Sequence, residues 1–563
     1  MKPLLLDTYS VVDGKLVSLK HENKEDEFLE IKNSSSNFKC SIMPLLQGHG
    51  LMLRFYSRKK SLHFPLFFFP EAGKEMQEIE NDGKYLIRKG NFYFLTDGLS
   101  KFDGKYPKRR TDDNQKELLR QINEKTLYGG FFGQKYITTE LIGRNVNAYI
   151  GFDDSTVKEI LDSDFDKIAK REKRYQKLLY RRIIRKNKDI QKLDKKYVDK
   201  FVTDVMILRC LQNRYGGISA SYGFTQEGYQ DVWGRDLFFM LKALKECGME
   251  ESYKEAIEFL EKAQIKSKNE WKFSELHIGR WPQRMSIDGN PSNLCWDNRD
   301  NALKNYQPND QLCFPLSLLI DEYLSGKKQI EKSVQLSIKA LEEDLQNGFE
   351  CDGWWEDKYG RNDYSIPFSE LVSYLHVLLK LENLDEKFRE KTDLIFNKIM
   401  EFWDEKRQLF IRDLKEKERV YDSAALYIDP ILEYIEKRNM NELIVKIKKH
   451  VLNQINGLKK KADSRIMLKR YEGDIWLGNE KVWTLSTLIG AYSCVKLSSF
   501  LKERKDKDWE VFLKEGKQLL DVTIDMKFLP EQLTEEGNAD SANPLGWSHA
   551  MRILTIKELL NLK

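Results

Sequence analysis

The spacing of hydrophobic positions changes period along the chain. Up to about residue 155 they fall in short runs broken by turn residues: FLEIKNSSSNFKCSIM (28–43), LMLRFYS (51–57), KYLIRKGNFYFL (84–95) and NVNAYIGF (145–152). Runs of this kind predict β-strands, and YLIR and NFYF on either side of Lys89-Gly90 predict a hairpin. Many short strands at such intervals predict a β-sandwich, with a barrel as the alternative that the pattern leaves open. From about residue 197 the period becomes 3.6. It predicts twelve helices, near 197–212, 233–247, 251–267, 309–324, 327–346, 367–383, 387–403, 422–437, 439–452, 481–502, 507–520 and 545–562. Twelve in succession predict six helical hairpins closed into an (α/α)6 barrel.

Between these regions, residues 156–196 are helical in pattern and densely basic, with Ile168, Tyr175, Leu178, Leu179, Ile183 and Ile184 interleaved among the cations. An RNA- or membrane-binding helix would have this composition. So would an amphipathic connector with a solvated outer face, which is the favoured reading because no targeting or nucleic-acid motif accompanies it. The expected organisation is therefore a β-sandwich domain over 1–155, a basic helical linker over 156–196 and a catalytic barrel over 197–563.

Composition narrows the class. The 563 residues carry 94 basic and 89 acidic side chains, a net charge of +5, with the signs mixed almost everywhere. That balance does not point to nucleic acid. No apolar run approaches the ~20 residues that span a bilayer, and the opening MKPLLLDTYSVVDG is too short in its apolar stretch for a secretory signal. The seven cysteines are scattered, odd in number and never in a CxxC pair, which fits a reducing compartment. A cytoplasmic protein is expected. The histidines show no metal-ligand spacing, so no metal is expected.

All eleven tryptophans lie between Trp233 and Trp547. They concentrate in loops that precede predicted helices, together with carboxylates and arginines. YGFTQEGYQDVWGRD (222–236) places Trp233 beside Arg235 and Asp236. GRWPQRMSIDG (279–289) and the segment after it contribute Trp281, Trp296 and Asp310. CDGWWEDKYGRNDYSIPFSE (351–370) sets Trp355 before Glu356 and Asp357. RYEGDIWLGNEKVWTL (470–485) brings Arg470. LPEQLTEEGNADSANPLGWSHA (529–550) brings Glu531 and Trp547. An indole face covers the apolar C–H surface of a sugar, and charged pairs hydrogen-bond its hydroxyls. A Glu packed against indoles loses hydration and tends to stay protonated, as a general acid must. Two carboxylates on separate loops fit glycoside hydrolysis, one protonating the leaving oxygen and the other activating water. Inversion needs about 6.5–9.5 Å between them.

The order of these segments over residues 215–555 resembles the glucoamylase family, glycoside hydrolase family 15, and especially its prokaryotic members, which carry a β-sandwich before the barrel. VWGRD resembles the family's W-x-R-D. The resemblance implies that Arg235 and Asp236 grip a terminal glucose with Trp233 close by. WWEDKYG resembles L-W-E-E-x-x-G and implies Glu356 as general acid, with Asp357 where the family usually has a second Glu. KRYEGD resembles R-Y-x-x-D and implies a substrate contact at Arg470. LPEQ with PLGWSHA resembles E-Q…L-x-W-S-x-A and implies Glu531 as general base and Trp547 as a stacking platform. The loop at 279–310 departs from the family pattern. The implied activity is exo-acting release of β-glucose from the non-reducing ends of α-glucans, a chemistry that needs no metal or organic cofactor. Trehalase and isomalto-oligosaccharide or dextran cleavage on the same scaffold are alternatives. A catalytically silent glucan-binding regulatory protein would be a rival of another class, but it requires a lost carboxylate. The expected partner is an α-glucan or gluco-oligosaccharide, not nucleic acid or membrane; the sequence sets no oligomeric state.

Overall fold

The computed structural model describes strand segments between Pro3 and Gly151, residues 157, 158 and 160, and the chain from 165 to 563 except 222–228, 230, 268, 272–273, 287, 292–294, 298–301, 305–309, 348–352, 356–366, 416–419, 475 and 477–479. It divides into two units, Met1–Arg185 with Ser221–Gln230, and Lys186–Ala220 with Asp231–Lys563.

The first unit is built on antiparallel sheets. One has eight strands in the order Lys20–His21, Ile31–Ser35, Phe38–Leu45, Gly50–Ser57, Asn145–Gly151, Phe92–Thr96, Lys84–Lys89, Met76–Asn81. The other has four, in the order Pro3–Leu4, Phe64–Phe68, Ile137–Ile142, Leu99–Asp103. The hairpin expected around Lys89-Gly90 is present, with Lys89 opposite Phe92. Met52 and Tyr149, on adjacent central strands, pack with Phe165, Ile168 and Ala169 from the first turns of helix α1 (Phe165–Lys186). Arg54 secures that contact by donating to Asp166 Oδ1 at 2.6 Å. The basic helix thus has one buried face, continued by Glu172, Gln176, Leu179 and Ile183.

The second unit is mainly helical. Its described residues form α2 (Lys195–Leu211), α3 (Gly234–Glu246), α4 (Glu250–Ala263), α5 (Asp310–Leu324), α6 (Glu331–Asn347), α7 (Phe368–Leu381), α8 (Arg389–Met400), α9 (Asp429–Arg438), α10 (Ile444–Leu458), α11 (Thr484–Glu503), α12 (Trp509–Asp521) and α13 (Gly546–Asn561). The odd-numbered helices from α3 onward form a ring. Each touches the next, α3 to α5 to α7 to α9 to α11 to α13, and α13 returns to α3. The even-numbered helices lie against this ring: α2 on α13, α4 and α6 on α5, α8 on α7, α10 and α12 on α11. Sequence explains the division. Nearly every position of α7, α11 and α13 is buried, as in a helix enclosed on all sides, whereas α4, α10 and α12 bury one stripe and solvate the other. No described helix is long and apolar enough to cross a membrane.

Every predicted helix has a counterpart, with two displaced. The helix expected at 422–437 begins at Asp429, because Asp422 accepts from the Ala424 N–H at 2.9 Å and caps a separate 3-10 turn over Ser423–Leu426. The helix expected at 439–452 runs over Ile444–Leu458. Asn439 adopts the left-handed conformation (φ +54°) that terminates α9, and a 3-10 turn follows at Asn441–Leu443.

One buried histidine in α10 makes folding sensitive to acid. His450 accepts from the Phe410 N–H through Nδ1 at 3.1 Å and donates through Nε2 to the Ala425 carbonyl at 2.8 Å, which uses both ring nitrogens of a neutral imidazole. Burial pushes its pKa down to about 4. The unfolded chain protonates near 6.5, so stability falls as pH drops below that value and the loss is complete near the folded pKa. His450 alone should cost about 2 kcal/mol between pH 7 and pH 5. In urea titrations, His450→Gln should show a stability difference between those pH values smaller by that amount. A difference equal to wild type would refute the assignment.

Candidate active site

The loops before the inner helices meet at one end of the ring. The first contributes the two-residue strand Val232–Trp233, in which Trp233 pairs with Arg284, and then the first turn of α3 with Arg235 and Asp236. Gly234 is required by close packing: a Cβ there would stand 2.8 Å from Gln311 Oε1 and 3.0 Å from Pro315 Cγ, both on α5. Gly546, which opens α13, has the same function; a Cβ would meet Met240 Sδ at 2.6 Å and Leu211 Cδ1 at 2.9 Å. The glycines of WGRD and LGWS therefore let α5 and α13 close against α3.

Arg235 is the centre of this end. Its Nε donates to Asp236 Oδ1 and its Nη1 to Asp310 Oδ2, both at 3.3 Å, and Nη1 also donates to the Trp354 carbonyl. Its backbone N–H donates to Gln311 Oε1 at 3.0 Å. The guanidinium lies 4.9 Å from the centre of the Trp547 ring and 5.9 Å from that of Trp233. Asp310 is fully buried, and Arg235 and Asp236 nearly so. Two carboxylates and a carbonyl fix the cation, and the indoles shield it from water.

The tryptophan pair before α7 links this cluster to the other side. Trp354 is fully buried and donates to Ser373 Oγ at 2.9 Å. Trp355 donates to Asp422 Oδ1 at 2.7 Å, and Asp422 is paired with Arg412 at 3.1 Å. The Trp355 ring stacks on Trp547 with centroids 6.0 Å apart and lies 6.3 Å from Trp483. Arg470 sits over Trp483 at 4.4 Å and near Trp355 at 5.7 Å, oriented by two bonds to Asp474 at 2.8 and 3.1 Å. Trp476, half exposed, borders this group 6.0 Å from Arg470.

Glu531 enters from a small five-stranded sheet ordered Lys459–Ala462, Arg465–Lys469, Val482–Trp483, Gln532–Leu533, Ala539–Asp540, in which Trp483 is opposite Gln532. Its backbone is held on both sides. Its N–H donates to the Ala542 carbonyl at 2.7 Å, and its carbonyl accepts from the Thr484 N–H at 3.1 Å. Its buried carboxylate accepts from Ser541 Oγ through Oε2. The indole nitrogens of Trp483 and Trp547 and the side-chain amide of Gln532 are buried and, among the described residues, make no hydrogen bond.

Arg235, Asp236, Asp310, Trp233, Trp355, Arg470, Trp547 and Glu531 therefore converge on one end of the ring. Trp281 is elsewhere: fully buried, it donates to the Leu260 carbonyl at 2.7 Å and pins its loop to α4. Trp296 lies in the short strand Cys295–Asp297 opposite Leu303; its side chain, like Glu356 and Asp357, is outside the described residues. Sequence reasoning missed Asp422, Asp474, Thr484 and Ser541, each of which fixes a predicted residue. It also missed Asp204 and His549, whose only signal was a histidine within the WSHA segment. Among the described residues no group of histidines, cysteines and carboxylates could hold a metal ion.

No protein-family model matches the chain, and no curated protein does. Solved structures do. A bacterial glucoamylase complexed with acarbose aligns with 99% of this chain and 88% of its own, at a TM-score of 0.65 and 16% identity. That likeness spans both units and shows that the chain has the bacterial glucoamylase fold. A glycosidase in complex with glucose covers 65% of this chain and 99% of its own (14% identity, TM-score 0.48), and the Hormoconis resinae glucoamylase covers 61% and 68% (15% identity, TM-score 0.45).

Proposed function

We propose that the chain is an inverting, exo-acting glycoside hydrolase that releases β-glucose from the non-reducing ends of α-glucans or gluco-oligosaccharides. The scaffold would be an (α/α)6 barrel over 197–563, preceded by a β-sandwich over 1–155 and the basic linker over 156–196. The observation that carries the proposal is the continuity between the two carboxylate segments. Glu531 is bonded through its backbone to Thr484, next to Trp483, and Trp483 neighbours Trp355, the residue immediately before Glu356.

In this reading Arg235, fixed by Asp236 and Asp310, binds the hydroxyls of the terminal sugar. Trp547, Trp355 and Arg470 shape the pocket around it, and the donors of Trp483, Trp547 and Gln532, which bond none of the described residues, supply further hydroxyl contacts. Glu356 gives its proton to the glycosidic oxygen as the bond breaks. Glu531 takes a proton from water as it attacks the anomeric carbon from the opposite face. Retention of Glu531 in a buried, hydrogen-bonded setting favours an enzyme over a silent glucan-binding protein. The buried free thiols of Cys247, Cys313 and Cys494 suit a reducing cytoplasm.

Incubation with maltotriose, isomaltotriose and trehalose, with the released sugar followed by proton NMR, tests the proposal. β-Glucose should appear first, from maltotriose. α-Glucose as the initial product would overturn inversion. Preferential cleavage of trehalose or isomaltotriose would reassign the substrate, and inertness toward all three would overturn the hydrolase reading.

A further inference from the structure

The segment leading to Glu531 is anchored from α13 by a buried polar chain that the proposed reaction does not use. Asp204 on α2 is fully buried and accepts two bonds from Arg552, from Nε at 2.7 Å and Nη2 at 2.6 Å. The same carboxylate lies 2.6 Å from His549 Nδ1. Burial works against its charge, but Arg552 and then His549 hold its pKa below the ordinary value. An ionised carboxylate only accepts, so Nδ1 of His549 carries the proton. Burial pushes the imidazole pKa down, more than Asp204 raises it, and the ring is neutral. Nε2 is then a bare acceptor, and it receives the N–H of Leu529 at 3.1 Å.

Leu529 is two residues before Glu531, and the residue between them is Pro530. Proline fixes its own φ and offers no N–H, so orientation at Leu529 passes to Glu531 through a stiff joint. The other anchors agree. Arg552 Nη1 donates to the Thr523 and Met526 carbonyls at 2.7 and 3.0 Å, the Leu529 carbonyl accepts from the Leu545 N–H at 2.8 Å, and Thr484 Oγ1 donates to the Pro530 carbonyl. His549 provides the anchor at the Leu529 N–H, and Asp204 sets the tautomer that makes it possible.

We infer that His549 is a positioning residue for the water-activating carboxylate of Glu531, acting through the backbone N–H of Leu529 with its tautomer dictated by Asp204. This inference rests on Glu531 being the general base.

Two substitutions separate the functions of the ring. The amide of Gln reaches the place of Nε2 and can accept from Leu529. The amide of Asn reaches only the place of Nδ1, keeping Asp204 but releasing Leu529. Activity on maltotriose is measured per folded molecule, the folded fraction being read by circular dichroism, together with the Kd of acarbose. His549→Asn should lower kcat about 10- to 100-fold with the acarbose Kd within about threefold of wild type. His549→Gln should recover most of kcat. In a Glu531→Gln background His549→Asn should cost little more, because the base it orients is gone. Leu529→Pro, which removes the donated N–H together with the buried leucine side chain, gives the same comparison when read against Leu529→Ala, which removes the side chain alone, if the His549 variants do not fold.

An active wild type with His549→Asn, or in its place Leu529→Pro, within about threefold in kcat would overturn the inference and leave the hydrolase reading intact. So would equal losses in His549→Gln and His549→Asn. A wild type inert toward the sugars overturns the hydrolase reading instead, and the inference with it.

Discussion

Glu531→Gln is expected to lower kcat on maltotriose by about 10³-fold while leaving the acarbose Kd within about tenfold of wild type, since a positioned base contributes about 10²–10⁴-fold. The substitution isolates basicity. The Gln carbonyl oxygen can still accept from Ser541 Oγ, and the backbone bonds to Ala542 and Thr484 do not involve the side chain. The pocket therefore keeps its shape and loses only its proton acceptor. Glu356→Gln should cause a loss of the same order from the opposite side of the bond, because the leaving oxygen then departs without a proton. Measurement of kcat, KM and inhibitor affinity for both variants checks the pair. Activity within tenfold of wild type in either would show that its role is misassigned.

Arg235→Ala should differ in kind, costing binding, rate and stability together. Its contacts are present before the substrate arrives and persist through the reaction, so KM should rise while kcat/KM falls by about 10²-fold or more. Removing the cation also leaves Asp310 and Asp236, both buried, without their shared partner. Breaking a buried charge pair typically costs about 3–5 kcal/mol. Arg235→Lys should not restore function, because a single ammonium cannot reproduce a fork that bonds Asp236, Asp310 and the Trp354 carbonyl. Unchanged KM in Arg235→Ala would place the residue outside the sugar pocket.

The helical part of this fold was legible because its signal is redundant. A 3.6-residue period survives local irregularities in one-sided helices such as α4 and α12, whereas the starts of α9 and α10 depended on Asp422 and Asn439, single residues whose turn chemistry overrides the period. The five-stranded sheet beside Glu531 was not legible. Three of its strands have two residues, and a fourth reads KKKA, so neither length nor alternation marks them. They exist because partners distant in sequence complete their ladders.

The candidate site divides in the same way. Tryptophans next to charged residues before helices pointed to Arg235, Asp236, Arg470 and Trp547, which the structure brings to one end of the ring. The same rule also selected Trp281, whose Gly-Arg-Trp-Pro setting looks alike, yet which fills the interior beside Leu260. Composition does not say which way an indole faces. Residues that act through another group were invisible for a related reason. Asp204 and His549 are distant in sequence, and only the packing of α13 on α2 joins them.

That the ring is closed by its last helix has a consequence for how the protein is made. A chain emerging from the ribosome delivers Arg235 long before Trp547, and until α13 docks between α3 and α11 the helices made before it present an open apolar flank. Contacts of such wide sequence separation form slowly and leave greasy surface uncovered in the meantime. The end of the ring where Arg235 meets Trp547 is thus completed only once α13 has been made, and the seam that this helix covers stays open until then.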